Sequence, residues 1–180
     1  GFQCWGYWSG SISRSSGDYK NVLSLVSSLK DRSSLNIDPD QVYIAGLSSG
    51  GAFAMTLGCL APDVFAGMGI DAGPSTGTSA NGAFGHESTS SATASRCSSY
   101  AGSYKSYFST QLTSTAFGSS DYTVPKTYGL QNAEAMAIVY GNISKLSGTK
   151  TVLNNSGTKL TSWANNRITM LELSGVGHAW

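Results

Sequence analysis

"VYIAGLSSGGAFAM", residues 42–55, sets a serine between glycines directly behind a short apolar run. In a chain with 22 glycines and abundant serine, Gly-x-Ser-x-Gly arises readily by chance, so the surroundings of Ser48 must carry the reading. Residues 42–45 have β character, 46–50 turn sharply, and 52–60 have the composition of a helix. That succession is what a nucleophile elbow needs. The strand ends at the serine, the helix starts behind it, and glycines on both sides relieve the turn and let the helix pack closely. Gly51 adds room. The helix N-terminus would aim its positive dipole end where an oxyanion forms, with the Ser49 N–H as one expected donor.

Working outward, Pro62 and Asp63 end the helix and 65–70, "FAGMGI", reads as a second strand. Strand, helix and strand form a βαβ unit, hence a parallel sheet. Upstream, residues 1–17 are aromatic and irregular. Asp18 or Ser16 could cap a helix running to about Arg32, with Val22, Leu25, Val26 and Leu29 inward. Downstream, 73–106 is a polar excursion with little periodicity, the kind of long loop that tends to carry function. Residues 112–121 look like a third strand breaking into a turn. A helix is expected over 128–146, with Leu130, Ala133, Met136, Ala137, Val139 and Tyr140 inward. Residues 167–175 read as a strand, followed by the loop "VGHAW". No repeat or linker divides the chain, so 1–180 reads as one catalytic domain.

Composition narrows the function classes. Apolar residues make up 40% of the chain, enough for a core, while charged residues reach only 12%. A surface polar through hydroxyls and amides suits a secreted protein. Net charge is +1 and lysines and arginines do not cluster, which argues against nucleic-acid and anionic-membrane partners. No run of eighteen apolar residues occurs that would span a membrane. Cys4, Cys59 and Cys97 lack zinc or CxxC spacing, and neither metal nor cofactor is expected. In an oxidising compartment Cys59–Cys97 is the expected pair, with Cys4 bonding outside the chain; three buried thiols in a reducing compartment is the alternative.

A serine needs a base, and the chain has two histidines. His178 sits in a glycine-flanked loop directly after a strand, where parallel sheets place ligand-facing residues. His86 lies in the polar excursion and reads as a surface residue. For the acid that orients the base, Asp121 follows the third strand and falls in the order Ser…Asp…His. Asp71, ending the second strand, is the runner-up. Asp18, Asp38, Asp40 and Asp63 read as caps and turns.

These residues resemble a known family. "DPDQVYIAGLSSGGAFAMTLGCLAPDVFAG" is similar to the elbow region of extracellular poly(3-hydroxybutyrate) depolymerases and their esterase relatives. "GSSDYTV" resembles that family's acid loop, "GVGHAW" its histidine loop, and "CWGYW" the segment one helix before the elbow. The resemblance implies an α/β-hydrolase-type fold, a mostly parallel sheet with flanking helices. It further implies secretion and hydrolysis of carboxylic esters, of a polyester or its oligomers, through an acyl-serine. It makes Ser48 the nucleophile, His178 the base and Asp121 its orienter.

Relatives carry several strands and a second oxyanion donor upstream and a final helix downstream. The chain is therefore expected to be an incomplete, C-terminal portion, with a missing N-terminal segment as a partner. Cys4 fits that expectation, because relatives offer a cysteine in the absent loop. Trp5, Tyr7, Trp8 and Trp180 either wall the acyl site or pack in the core. Feruloyl or acetylxylan esterase activity and a non-catalytic binding module are the alternatives.

Overall fold

A computed structural model describes residues 4–147, 150–151 and 157–179. The elbow stretch forms strand β1 (Tyr43–Leu47) and helix α2 (Ser49–Leu60), and β2 (Gly67–Asp71) returns beside β1. The other α-helices and strands among the described residues are α1 (Gly17–Lys30), α3 (Ser90–Ala101), β3 (Leu112–Gly118), α4 (Thr127–Val139), β4 (Lys150–Thr151), β5 (Lys159–Trp163) and β6 (Ile168–Leu173). Among the described residues a six-stranded sheet has the order β1-β2-β3-β6-β5-β4. Strands β1, β2, β3 and β6 run parallel, while β5 and β4 are antiparallel additions. This is an α/β fold with a mostly parallel sheet.

Helix α2 is apolar nearly all round, and Gly51 to Leu60 are buried without a break. It packs on β1 and β2, α4 packs on β3 and β6, and α3 bridges α2 and α4. Met55, Met68, Ile70, Ala133, Met136 and Ile168 fill the core between helices and sheet. A second cluster, Tyr7, Tyr19, Phe53, Leu57 and Phe65, lies where the N-terminal segment and α1 meet α2. Cys59 of α2 and Cys97 of α3 form a disulfide, as expected, and Cys4 is free and exposed. Among the described residues no helix is long and apolar enough to cross a membrane.

Several expectations shift. The polar excursion holds helix α3, whose Thr89 side chain accepts the Ala92 N–H at 3.2 Å as an N-cap. Thr93, Ala94, Cys97 and Ala101 form its buried stripe. Serine and threonine weaken helix propensity, so packing and the cap form this helix. Helix α4 stops at Val139, because Gly141 (φ 96°) and Asn142 (φ 59°) turn left-handed and end it. Leu25 is exposed and Leu23 takes its place facing α2; Leu130 also points outward. Strands β4 and β5 were not expected.

Candidate active site

Because β1, β2, β3 and β6 are parallel, the loops leaving their carboxyl ends share one edge of the sheet. Ser48 follows β1, Asp71 ends β2, Asp121 follows β3 and His178 follows β6. The four residues singled out for acyl chemistry thus meet at one edge through topology alone.

Ser48 has φ 57° and ψ −123°, a conformation costly for a residue with a side chain. Hydrogen bonds on both sides hold it there. Its N–H donates to the Asp71 carbonyl at 2.9 Å, and its carbonyl accepts the Ala52 N–H at 3.1 Å. The steric demand on the glycines is uneven. A Cβ on Gly46 would overlap the Gly50 carbonyl, and one on Gly51 would lie 2.8 Å from the Gly46 oxygen. A Cβ on Gly50 would meet only the Trp5 ring, at 3.6 Å. The close approach needs Gly46 and Gly51, whereas the second glycine of the motif does not provide it. Ser49 opens α2, where the first N–H groups lack intrahelical acceptors.

His178 Nδ1 lies 2.8 Å from Asp121 Oδ2. The Asp121 side chain is fully buried, and its other oxygen accepts the N–H groups of Thr123 (2.8 Å) and Val124 (3.0 Å). Burial pushes its pKa up, but the hydrogen bonds from His178, Val124 and Thr123 outweigh this and hold it below the usual carboxylate value. The acid and histidine loops are stitched together. Ser120 N–H donates to the Val176 carbonyl and Gly175 N–H to Ser119 Oγ, both at 2.9 Å. Gly118 lacks room for a side chain because the Val176 and Gly177 carbonyls lie against it. The structure brings His178 to Asp121 directly, while Ser48 Oγ makes no hydrogen bond to His178 among the described residues.

Asp71 is buried beside these groups, and its Oδ1 has no hydrogen-bond partner among the described residues. Burial raises its pKa; the His178 charge opposes that rise and the Asp121 charge adds to it. The sequence pattern marks Asp71 as a strand end but gives no sign of this burial. His86 is exposed, and its Nε2 pairs with Gln131 Oε1 away from the elbow.

The aromatic residues divide. Tyr7 is buried in the second core cluster. Trp5 is 43% exposed, packs tilted against Phe53 with ring centroids 4.5 Å apart, and donates its backbone N–H to Ser49 Oγ at 3.3 Å. It walls a groove of about 330 Å³ lined also by Val22, Leu47, Gly50 and Phe53. Trp8 is partly exposed beside Tyr7, and Trp180 lies outside the described residues. Tyr122, next to Asp121, is 95% exposed and was not singled out from the sequence.

Comparison with known proteins bears on the family and the fold. A family model described as "Esterase PHB depolymerase" matches residues 1–101. The chain is 42% identical over 182 aligned positions to a poly(3-hydroxybutyrate) depolymerase of Ralstonia pickettii, covering 98% of this chain but 37% of that protein. Among solved structures, an acetyl xylan esterase from Aspergillus awamori superposes over 97% of this chain and 68% of its own, with TM-score 0.80 and 19% identity. A PHB depolymerase from Penicillium funiculosum does so over 80% of this chain and 41% of its own, with TM-score 0.60 and 20% identity. These two likenesses speak to the fold. The match over more than half the chain, together with the 42% identity, places the sequence: it belongs to the PHB depolymerase esterase family, with an α/β-hydrolase-like fold.

Proposed function

We propose that the protein is a secreted serine esterase acting on a poly(3-hydroxybutyrate)-like polyester or its oligomers. The observation that carries the reading is the His178–Asp121 hydrogen bond at 2.8 Å, on the sheet edge where Ser48 sits at a strained elbow. Ser48 Oγ attacks the ester carbonyl as its proton passes to His178 Nε2. Asp121 holds the other ring nitrogen and stabilises the imidazolium. The Ser49 N–H, at the positive end of α2, receives the oxyanion. His178 then returns the proton to the leaving alcohol, and a water activated by His178 releases the acyl group from Ser48.

Trp5, Trp8 and Trp180 are proposed to contact the acyl chain, and Trp5 beside the Ser49 hydroxyl supports this for one of them. The Ser49 N–H is the oxyanion donor we assign within these residues. One such donor is worth about a hundred- to a thousandfold in rate. The identity to the Ralstonia pickettii depolymerase favours a polyester, and the Cys59–Cys97 disulfide suits secretion.

The test uses hydroxybutyrate oligomers, acetylated xylan and a feruloyl ester as parallel substrates. Ser48→Ala is expected to abolish hydrolysis and labelling by a fluorophosphonate. Hydrolysis that survives the substitution refutes the mechanism. A wild-type protein that resists labelling is instead a binding module.

A further inference from the structure

On the reading of Ser48 as nucleophile, we propose that Asn132 of α4 is a positioning residue for it, acting through the loop that leaves β2. That loop, residues 72–76, is the shelf on which the elbow rests. The Asp71 carbonyl just before it accepts the Ser48 N–H at 2.9 Å. Gly73 lies so close to α2 that a Cβ there would stand 2.9 Å from the Gly51 carbonyl carbon and 3.0 Å from the Ala52 nitrogen. Ala72 is left-handed with φ 42°, a costly backbone state that persists only where the surroundings hold it.

Side chains of both flanking helices hold the shelf. From α2, Thr56 Oγ1 donates to the Ala52 carbonyl at 2.8 Å, so the Thr76 hydroxyl is the donor in its own 2.8 Å contact with Thr56. From α4, Asn132 Nδ2 donates to the Gly73 carbonyl at 2.9 Å, and its Oδ1 accepts the Ser75 hydroxyl at 2.6 Å. The adjacent Gln131 donates Nε2–H to Ser75 Oγ at 2.7 Å, and its Oε1 accepts the His86 Nε2–H. Two main-chain carbonyls, which can only accept, fix the sense of this relay. The Gly73 carbonyl requires the amide nitrogen of Asn132, and the Glu87 carbonyl, 3.4 Å from Gln131 Nε2, requires that of Gln131. Every donor therefore points inward from His86 to Gly73, and hydrogen bonds aligned in this way strengthen one another.

Thr56, Ser75, Thr76 and Asn132 are fully buried, and each is hydrogen-bonded. A core that needed only filling would carry apolar side chains here, whereas a satisfied polar network fixes one arrangement of the groups it joins. What it joins are the helices that follow the nucleophile and the acid. Helix α2 begins directly after Ser48, and α4 begins just after the loop that carries Asp121. Asn132 exchanges no atom in the reaction. It sets where the elbow stands relative to Asp121 and His178.

A second buried amide supplies the control. Gln111, just before β3 at the amino end of the sheet, donates to the Gly58 and Phe65 carbonyls at 3.0 and 3.1 Å. The experiment measures how fast a fluorophosphonate labels Ser48 in the wild type, Asn132→Ala, Ser75→Ala, Gln111→Ala and Ser48→Ala. Rates are corrected for the folded fraction and set beside kcat and KM for hydroxybutyrate oligomers. A misplacement of about 1 Å costs about a hundredfold, so Asn132→Ala is expected to label roughly ten- to a hundredfold more slowly. Its kcat should fall to match while KM stays unchanged. Gln111→Ala should lose stability yet label at the wild-type rate. Asn132→Ala and Ser75→Ala proteins that label as fast as Gln111→Ala overturn the proposal. Ser75→Ala removes a single hydroxyl and decides the matter alone if Asn132→Ala does not fold. Labelling that persists in Ser48→Ala instead overturns the reading of Ser48, so the two failures are distinguishable.

Discussion

The two glycines that bracket the serine motif should respond in opposite ways to the same added methyl group. In Gly46→Ala the new Cβ would overlap the Gly50 carbonyl and stand 2.9 Å from the Gly51 nitrogen. Carbon contacts relax near 3.5–4.0 Å, so the turn must open by roughly 1 Å. The obstructing atoms are main chain and cannot rotate aside. We expect a loss of about 2–3 kcal/mol, the upper part of the overpacking range. A displacement near 1 Å at Ser48 should also slow acyl transfer by about a hundredfold. In Gly50→Ala the methyl meets the Trp5 ring at 3.6 Å, an ordinary contact, and alanine suits the first turn of α2 better than glycine. A gain of about 0.5 kcal/mol is expected, within the 0.8–1.0 kcal/mol that separates glycine from alanine in helices. Urea unfolding followed by tryptophan fluorescence gives the stabilities, and fluorophosphonate labelling gives the reactivity of Ser48. Equal damage from both substitutions, or an intact Gly46→Ala enzyme, would refute the steric account.

Other consequences are equally direct. Replacing both Cys59 and Cys97 with alanine opens a loop with sequence separation 38 and should cost about 4 kcal/mol, read as a lower unfolding midpoint. Thr89→Ala removes the α3 cap and should cost about 1 kcal/mol in the same assay. Asp121 and Asp71 should drive stability in opposite directions with pH. The lowered pKa of Asp121 contributes stability above the unfolded value near ~3.9, and this is lost as pH falls through the folded value. The raised pKa of Asp71 removes stability as pH rises from that unfolded value through its folded one. Asp71→Asn should therefore unfold later than the wild type at pH 7 and gain nothing at pH 3, as measured by melting across pH.

Much of this was legible because it is local. The β1–turn–α2 unit needs only a short apolar run, two close-packed glycines and an apolar helix, all within "VYIAGLSSGGAFAM". The parallel arrangement then follows from β2, and with it the shared sheet edge. What escaped notice depends on distant partners. Helix α3 is rich in serine and is held by its disulfide and by packing on α4, neither visible in its own periodicity. The antiparallel strand β5, "KLTSW", is defined by its pairing with β6 and follows a stretch without clear pattern. The burial of Asp71 arises only from packing by parts of the chain distant from β2 in sequence. No spacing within the sequence reports that. The opposite case is Tyr122, whose exposure beside a buried aspartate reflects the tight turn that turns Asp121 inward.

The sheet order puts β1 at a margin, so among the described residues the strand that carries Ser48 has one row of main-chain N–H and carbonyl groups without a neighbour. Such a margin is a template for another strand. Whatever chain pairs there will run beside the strand that leads to Ser48. Finishing the sheet and shaping access to Ser48 are then a single event. Solubility and catalytic competence of any shortened form should rise or fall together.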